Sequence, residues 1–96
     1  MALDIRQAEA DNKGSFTAFD GDRQAGQSTY SRLSPSVIIV DHTEVAPGFE
    51  GRGVGKALVA EEVAWARREG QQITPLCPFT KAMFERTPAY ADVWYH

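Results

Sequence analysis

The hydrophobic period of this chain changes once, at the segment Glu50–Lys56, and that change limits the folds available to it. From residue 3 to residue 45, apolar and polar residues alternate as they do in strands, with turn-forming residues between the runs. From residue 54 to residue 70, apolar residues recur every three or four positions, as in an amphipathic helix. The chain is therefore predicted to build a set of strands first and a helix afterwards.

Four strands are predicted before the change of period, and short turn signals separate them. Asp11–Gly14, Asp20–Asp22 and Ser34–Ser36 supply the turns. Because consecutive strands with short connections pair antiparallel, we expect an antiparallel four-strand meander. The predicted strands are Leu3–Arg6, Ser15–Phe19, Gln24–Leu33 and Ser36–Val45.

A helix, a short strand and a second helix are predicted after the change of period. The first helix covers 54–70 and ends at Gly70, Gln71–Leu76 forms a fifth strand, and Pro78 suits the first turn of the helix Phe79–Arg86. A helix between two strands implies a crossover, so the fifth strand should lie parallel to the fourth. Glu62 falls within the apolar arc of the first helix, and we expect it at the edge of that arc or snorkelling to solvent. The prediction is one α+β domain over residues 1–96.

Composition argues against several classes of protein. A net charge of -3 and a pI near 5.3 leave no basic stripe for a nucleic acid. The longest apolar run is Val37–Val40, which is far too short to span a membrane, and the N-terminus does not resemble a signal peptide. Cys77 is the one cysteine, so no internal disulfide forms, and no His/Cys/Asp spacing suggests a metal site. We expect a cytoplasmic protein without nucleic-acid, membrane or metal partners.

Three alternate glycines, Gly51, Gly53 and Gly55, lie where the first helix begins. No Ser, Thr, Asp or Asn lies between Val45 and Leu58, so no side chain can cap the first helical amides. Glycines also allow a ligand to approach the backbone closely. Bare amides at the positive end of a helix dipole predict an anion site, most naturally for phosphate.

Two common nucleotide motifs do not fit this glycine cluster. A Walker loop that ends at Gly55-Lys56 would need glycine at Glu50 and a hydroxyl residue at Ala57. The dinucleotide fingerprint needs Gly-x-Gly-x-x-Gly, whereas the glycines here alternate. A nucleoside triphosphatase or a dehydrogenase is therefore disfavoured.

The segment 45–58 instead resembles the acyl-CoA loop of the GNAT superfamily of N-acetyltransferases, whose pattern is Arg/Gln-x-x-Gly-x-Gly/Ala. Gly53 and Gly55 match the two small positions of that pattern, and Glu50 stands where the family has Arg or Gln. Three further segments resemble signatures of the short single-domain branch of the superfamily, and together they cover most of the chain from Val37 onward. They are His42–Val45, Pro75–Phe79 and Thr87–Asp92.

The resemblance implies a GNAT-like fold that binds acetyl-CoA as cosubstrate and transfers its acetyl group to an amine. In this fold the fourth and fifth strands splay apart, and the pantetheine arm lies between them. Backbone near Val45 would then bind the pantetheine and stabilise the oxyanion, and the glycine loop with the start of the helix would bind the pyrophosphate. The cofactor-binding residues implied in this way are Val45, Gly51, Arg52, Gly53, Val54, Gly55 and Lys56.

Three residues are candidates for the catalytic chemistry. His42 and Glu44, on one face of the fourth strand, are candidates for the base that deprotonates the amine. Cys77 ends the fifth strand where the thioester should arrive, so it could protonate the departing CoA thiolate or take the acetyl group itself; Tyr90 is an alternative acid. The chain lacks the helix pair that covers the acceptor site in larger relatives, which suits a protein or peptide amine. The alternative function is a non-catalytic acyl-CoA sensor or interaction module.

Overall fold

A computed structural model describes residues 2–96 of the chain as one mixed sheet with helices on one of its faces. The elements follow in the order β1 (Asp4–Ala10), β2 (Lys13–Asp20), β3 (Arg23–Ser34), β4 (Val37–Val45), α1 (Val54–Glu69), β5 (Gln72–Pro75), α2 (Pro78–Arg86) and a 3-10 helix (Pro88–Val93). The strands lie side by side in sequence order. The first four pair antiparallel and β5 pairs parallel to β4, so the predicted α+β topology is confirmed.

The first hairpin is tighter and longer than the sequence suggested. The expectation that the first strand ends at Arg6 is wrong, because β1 continues to Ala10 and pairs there with Lys13. Only Asp11 and Asn12 form the turn, and both have positive φ, 54° and 65°. Asp and Asn tolerate this conformation better than other non-glycine residues, so a two-residue turn needs no glycine here.

Helix α1 lies across the sheet and supplies much of the core. Its predicted apolar face is buried against β2, β3, β4 and β5. The residues concerned are Val54, Leu58, Val59, Val63, Trp65 and Ala66. Gly70 ends the helix in the left-handed conformation, as predicted. The expectation that Glu62 lies at the edge of this face is wrong, because its side chain is 0% exposed.

The C-terminal segment packs against β5 and α2. Trp94 meets the Phe84 ring edge-on with a centroid distance of 5.5 Å, and Tyr95 donates its backbone N–H to the Ile73 carbonyl at 2.8 Å. Helices α1 and α2 cover the same face of the sheet and contact each other, since a Cβ atom added to Gly55 of α1 would lie 2.7 Å from the Phe79 ring of α2. The opposite face carries no helix within residues 2–96, so β4 side chains that point that way, such as His42 and Glu44, are exposed.

Candidate active site

The glycine loop between β4 and α1 owes its path to three left-handed residues. Gly48, Gly51 and Gly53 have φ of 89°, 74° and 80°. A Cβ atom built on any of them meets nothing within 4 Å, so backbone conformation rather than crowding requires glycine there. Gly53 is the residue before α1, and no side chain of the described chain caps the helix. The first amides of α1 are therefore available to an anion, as the sequence predicted.

Charged residues surround this loop and partly define its shape. Phe49 is 2% exposed and anchors the loop in the core. The guanidinium groups of Arg23 and Arg52 lie over its ring, 4.9 Å and 5.6 Å from the centroid. The Glu50 carboxylate turns back and accepts a hydrogen bond of 2.8 Å from the Gly48 N–H. Glu50 thus holds the turn together while adding negative charge beside the helix start.

Strands β4 and β5 separate halfway along β4. Their parallel pairing covers Val37–Val40, and there the Val40 carbonyl accepts both the Leu76 N–H (3.0 Å) and the Cys77 N–H (2.9 Å). Beyond this point Asp41–Val45 pairs with β3 alone among the described strands. A bulge between the pairs Thr29↔His42 and Tyr30↔Val40 bends β4 at the same place. We call the resulting space, bounded by 41–45 on one side and Cys77 on the other, the β4–β5 gap.

The backbone of Val45 points into the β4–β5 gap. Ala46 donates its N–H to the Ala25 carbonyl of the neighbouring chain segment at 2.8 Å. Along an antiparallel ladder, residues alternate between bonding to the partner strand and pointing away from it. Since Ala46 bonds toward β3, the N–H and C=O of Val45 face the opposite side. This orientation provides a hydrogen-bond donor for a ligand that lies along the edge of β4.

Cys77 lies at the closed end of the gap, immediately before α2. Its side chain is buried and it occupies the N-cap position of the helix, with Pro78 as the first helical residue. Burial raises the pKa of the thiol, but the backbone N–H groups of Thr80 and Phe79 and the hydroxyls of Thr43 and Thr80 more than offset it, so the pKa is lowered overall. A thiol with these donors around it forms the reactive thiolate more readily than an ordinary cysteine.

His42 and Glu44 form an ion pair on the other face of the sheet from Cys77. The His42 Nε2 and Glu44 Oε1 atoms are 2.9 Å apart, and both side chains are more than half exposed. The hydrogen bond that His42 donates to Glu44 raises the pKa of His42, and burial opposes this shift. Between them, Thr43 points to the helix side, where its hydroxyl lies 3.3 Å from that of Thr80. The structure therefore does not bring the three candidate catalytic residues into one cluster; it sets them on two sides of the same strand.

Two pockets lie near the end of β4 and the start of α1. One, of about 410 Å³, lies at the end of β4 and is lined by Gln24, Gly26, Gln27, Glu44, Val45, Ala46 and Pro47. The other, of about 420 Å³, lies between the start of α1 and α2 and is lined by Lys56, Phe79, Met83, Arg86 and Thr87. The second pocket offers two cationic side chains beside the uncapped helix start.

Residues 2–96 contain no group of three or more His, Cys, Asp or Glu side chains placed to hold a metal ion. No helix in this part of the chain has both the length and the hydropathy needed to cross a lipid bilayer.

A sheet that splays between two parallel strands beside a glycine-rich helix start defines the GCN5-related N-acetyltransferase class. The family model for GCN5-related N-acetyl-transferases matches residues 15–93, and the chain belongs to this family. The comparison with curated proteins finds no match.

Solved structures share the fold over most of the chain. An NMR structure of a GCN5-like N-acetyltransferase from Staphylococcus aureus is 32% identical, with a TM-score of 0.70 over 97% of this chain and 88% of that one. The aminoglycoside acetyltransferase AAC(6')-Iy, bound to a bisubstrate analogue built on CoA, is 19% identical, with a TM-score of 0.63 over 100% of this chain and 92% of that one. A Bacillus subtilis acetyltransferase in complex with CoA is 20% identical, with a TM-score of 0.63 over 75% and 63% of the two chains. The predicted family and fold are thus confirmed.

Sequence reasoning missed one group of residues near the site. Ser28, Thr43 and Thr80 form a line of hydroxyl groups beneath the sheet, and the buried Glu62 lies beside it. Hydroxyl residues in strands are common on exposed faces, so nothing in the sequence indicates that these three are in contact. The one sequence feature that indicated polar groups in this part of the core is Glu62, an acidic residue within the apolar arc of α1.

Proposed function

We propose that this protein is an acetyl-CoA-dependent N-acetyltransferase that moves the acetyl group from the CoA thioester to an amine. The observation that supports this best is the uncapped start of α1, which follows the separated end of β4 by one glycine loop, together with a thiol of lowered pKa at the closed end of the gap. This arrangement suits the chemistry of CoA: an anionic end, a hydrogen-bonding arm and a thioester.

In this proposal the pyrophosphate of CoA binds the backbone amides from Gly51 to Gly55, which carry the positive end of the α1 dipole. The side chains of Arg52 and Lys56 add positive charge beside these amides. The pantetheine arm adds to the open edge of β4, in the way that an extended ligand adds a strand to a sheet. The Val45 N–H then donates to the thioester oxygen and stabilises the oxyanion when the carbonyl is attacked.

Cys77 is proposed as the nucleophile for the first step. Its thiolate attacks the thioester carbon, the bond between that carbon and the CoA sulfur breaks, and CoA leaves as a thiolate that takes up a proton. One thioester replaces another, so the step needs little driving force. The donors around the Cys77 sulfur favour this role over that of an acid, because they stabilise the charged form.

His42 and Glu44 are proposed to receive the amine from the open face of the sheet. Because His42 and Cys77 lie on opposite faces of the sheet, the amine must approach through the β4–β5 gap. It attacks the acetyl group on Cys77, the carbon–sulfur bond breaks and regenerates the Cys77 thiolate, and the amine proton passes to neutral His42, which its hydrogen bond to Glu44 keeps in place. This pair is exposed, and no helix of the described chain covers it. An amine on a protein or peptide could therefore reach it as easily as a small molecule.

Acetyl-CoA turnover measured with and without amines tests the proposal. Purified protein is incubated with acetyl-CoA, CoA release is followed, and the intact mass of the protein is recorded with Cys77→Ala as the control. We expect a mass gain of one acetyl group that is absent from the control and is removed when an amine acceptor is added.

The other outcomes of this experiment would each change the proposal. Acetyl-CoA binding without turnover for any amine would support the alternative, a non-catalytic acyl-CoA sensor or interaction module. Turnover that survives in Cys77→Ala would mean that the amine attacks acetyl-CoA directly. Failure to bind acetyl-CoA would refute both the transferase and the sensor.

A further inference from the structure

The pocket at the end of β4 lies on the face of the sheet that carries no helix within residues 2–96. We call it the β4-end pocket; its volume is about 410 Å³, and Gln24, Gln27 and Glu44 are among its lining residues. Gln27 pairs with Glu44 in the β3–β4 ladder, and cross-strand partners of an antiparallel pair share a face. Because Glu44 lies on the exposed face beside His42, the Gln27 side chain lies there too. The pocket therefore adjoins the place where the amine is proposed to arrive.

The hydrogen bonds within the protein determine which atoms of the β4-end pocket remain available to a ligand. The Gln27 Nε2 atom donates to the Thr17 Oγ1 atom at 3.1 Å, so the amide nitrogen is engaged and the carbonyl oxygen Oε1 is the free acceptor. The Glu44 Oε1 atom lies 2.9 Å from the His42 Nε2 atom, which leaves Oε2 as a second acceptor. Two acceptor oxygens, one from an amide and one from a carboxylate, thus belong to residues that pair across the ladder.

The charges around the β4-end pocket favour a cationic ligand. Its lining contains a carboxylate but no Lys, Arg or His. Arg23, which precedes Gln24 in the chain, holds its guanidinium over the Phe49 ring at 4.9 Å, so its charge lies at the glycine loop. The pocket beside α2 is lined instead by Lys56 and Arg86. The two pockets thus differ in charge: the one beside α2 suits an anion, whereas the β4-end pocket suits a cation that donates hydrogen bonds.

The register of the sheet gives the distance between this pocket and the proposed base. The pairs Gln27↔Glu44 and Thr29↔His42 are two residues apart along their strands. Two residues of a strand span about 7 Å, which is close to the distance between the two nitrogen atoms of an extended five-carbon diamine. A ligand with one amine beside His42 can therefore place a second amine at the β4-end pocket.

We infer that the β4-end pocket is a subsite for the acetyl acceptor, and that this acceptor is an aliphatic diamine. One amine reacts beside His42, while the other, as an ammonium group, donates to the free oxygens of Gln27 and Glu44. An ammonium group has three donors, so it can bond both oxygens and still reach the Gln24 amide. Its bond to the carboxylate is charge-assisted and therefore the strongest of them. The inference rests on the proposed transfer to an amine beside His42 and adds the class of that amine.

Binding of a diamine can be measured on the protein without acetyl-CoA. Isotope-labelled protein is titrated with cadaverine, the five-carbon diamine, and separately with pentylamine, which has the same carbon chain and one amine. The NMR signals of the Gln24 side-chain amide and the Ala46 backbone amide, both at the pocket, report binding. We expect both signals to shift saturably with cadaverine. The Kd for pentylamine should be about three- to tenfold higher, because pentylamine cannot bond at both positions.

Two substitutions of Gln27 should change the binding of cadaverine in opposite directions. Gln27→Leu removes the amide oxygen and should raise the Kd about three- to tenfold. Gln27→Glu replaces that oxygen by a carboxylate and should lower the Kd about two- to fivefold. A general disturbance of the sheet would weaken binding in both variants, so the opposite signs identify a direct contact. Gln72→Leu, at an exposed position of β5, is the matched control and should bind cadaverine as the wild type does.

Equal Kd values for cadaverine and pentylamine would overturn the inference, and so would weaker cadaverine binding in both Gln27 variants. In the turnover assay, the KM for cadaverine should lie below that for pentylamine while kcat stays similar. If cadaverine bound as expected but no amine were acetylated, the transferase proposal would fail and the diamine site would stand. Acetylation of both amines with equal KM would keep the transferase and reject the subsite.

Discussion

Replacing Gly53 by alanine should separate the two reasons for glycine in the loop before α1. Gly53 has φ 80° and ψ 17°, a left-handed conformation that strains any residue with a Cβ atom. The added methyl group meets nothing within 4 Å in the protein itself. In the proposed complex, however, it would stand between the backbone and the pyrophosphate of CoA. The substitution should therefore affect stability moderately and binding strongly.

The expected magnitudes follow from these two effects. Left-handed strain on alanine is about 1–2 kcal/mol, which lowers the melting temperature by roughly 4–8 °C per kcal/mol in a domain of this size. Losing one charge-assisted hydrogen bond to phosphate costs about 1.5–3 kcal/mol, which raises the Kd for CoA by roughly 10- to 100-fold. Gly70→Ala is the matched control, because Gly70 has φ 65° and open space for a Cβ at the other end of the same helix.

Thermal unfolding and calorimetric titration with CoA would measure both effects on each variant. We expect similar losses in melting temperature for Gly53→Ala and Gly70→Ala, with weakened CoA binding for Gly53→Ala alone. If the two variants bound CoA equally well, no phosphate would approach the backbone at Gly53. The assignment of the loop as a pyrophosphate site would then be wrong.

Three other predictions concern charge. Glu50→Gln keeps an acceptor for the Gly48 N–H while removing a negative charge, so CoA binding measured by calorimetry should tighten by about two- to fivefold, whereas unchanged or weaker binding would show that Glu50 does not oppose the pyrophosphate. Because hydrogen bonding to Glu44 raises the pKa of His42, kcat/KM should rise with pH through a midpoint above 6.5, and Glu44→Gln should move that midpoint down; an unmoved midpoint would exclude His42 as the base. Burial raises the pKa of Glu62 in the folded state, so between pH 4.5 and pH 8 the folded state keeps a proton that the unfolded state releases. The free energy of unfolding measured in urea should therefore fall by roughly a few kcal/mol over this range. Glu62→Gln should abolish that pH dependence. A slope that persists in Glu62→Gln would mean that other groups cause it.

Local patterns predicted most of the fold because each of them agrees with the tertiary structure. Alternation in the first four strands, the helical period of α1 and the crossover rule for β5 all point to one topology, and that topology is confirmed. The predicted end of β1 is wrong because the apolar positions of Gln7–Ala10 are only alanines, which are depleted in strands and give a weak strand signal. Pairing with β2 rather than burial makes this segment a strand, and the sequence of one strand does not reveal its partner.

The candidate site also contains features that the sequence predicts and features that it does not. The uncapped start of α1 follows from the absence of any capping residue type, so it could be predicted. The separation of Cys77 from His42 and Glu44 could not, because it depends on which face Thr43 presents to the helices. A bulge at Asp41 determines the face of the sheet on which Thr43 lies. A bulge is a property of two paired strands, so the alternation pattern of one strand does not reveal it.

Glu62 is the position where local pattern and fold conflict most strongly. An apolar residue in its place would complete the buried face of α1 and avoid the burial of two carboxyl oxygens without partners. Small domains have only about 5–15 kcal/mol of net stability, so a penalty of a few kcal/mol is a large share of it. Departures from the best packing are expected mainly at functional sites. Ser28, Thr43 and Thr80 place further hydroxyl groups on the helix side of the sheet, so the interior beside α1 is polar at more than one position.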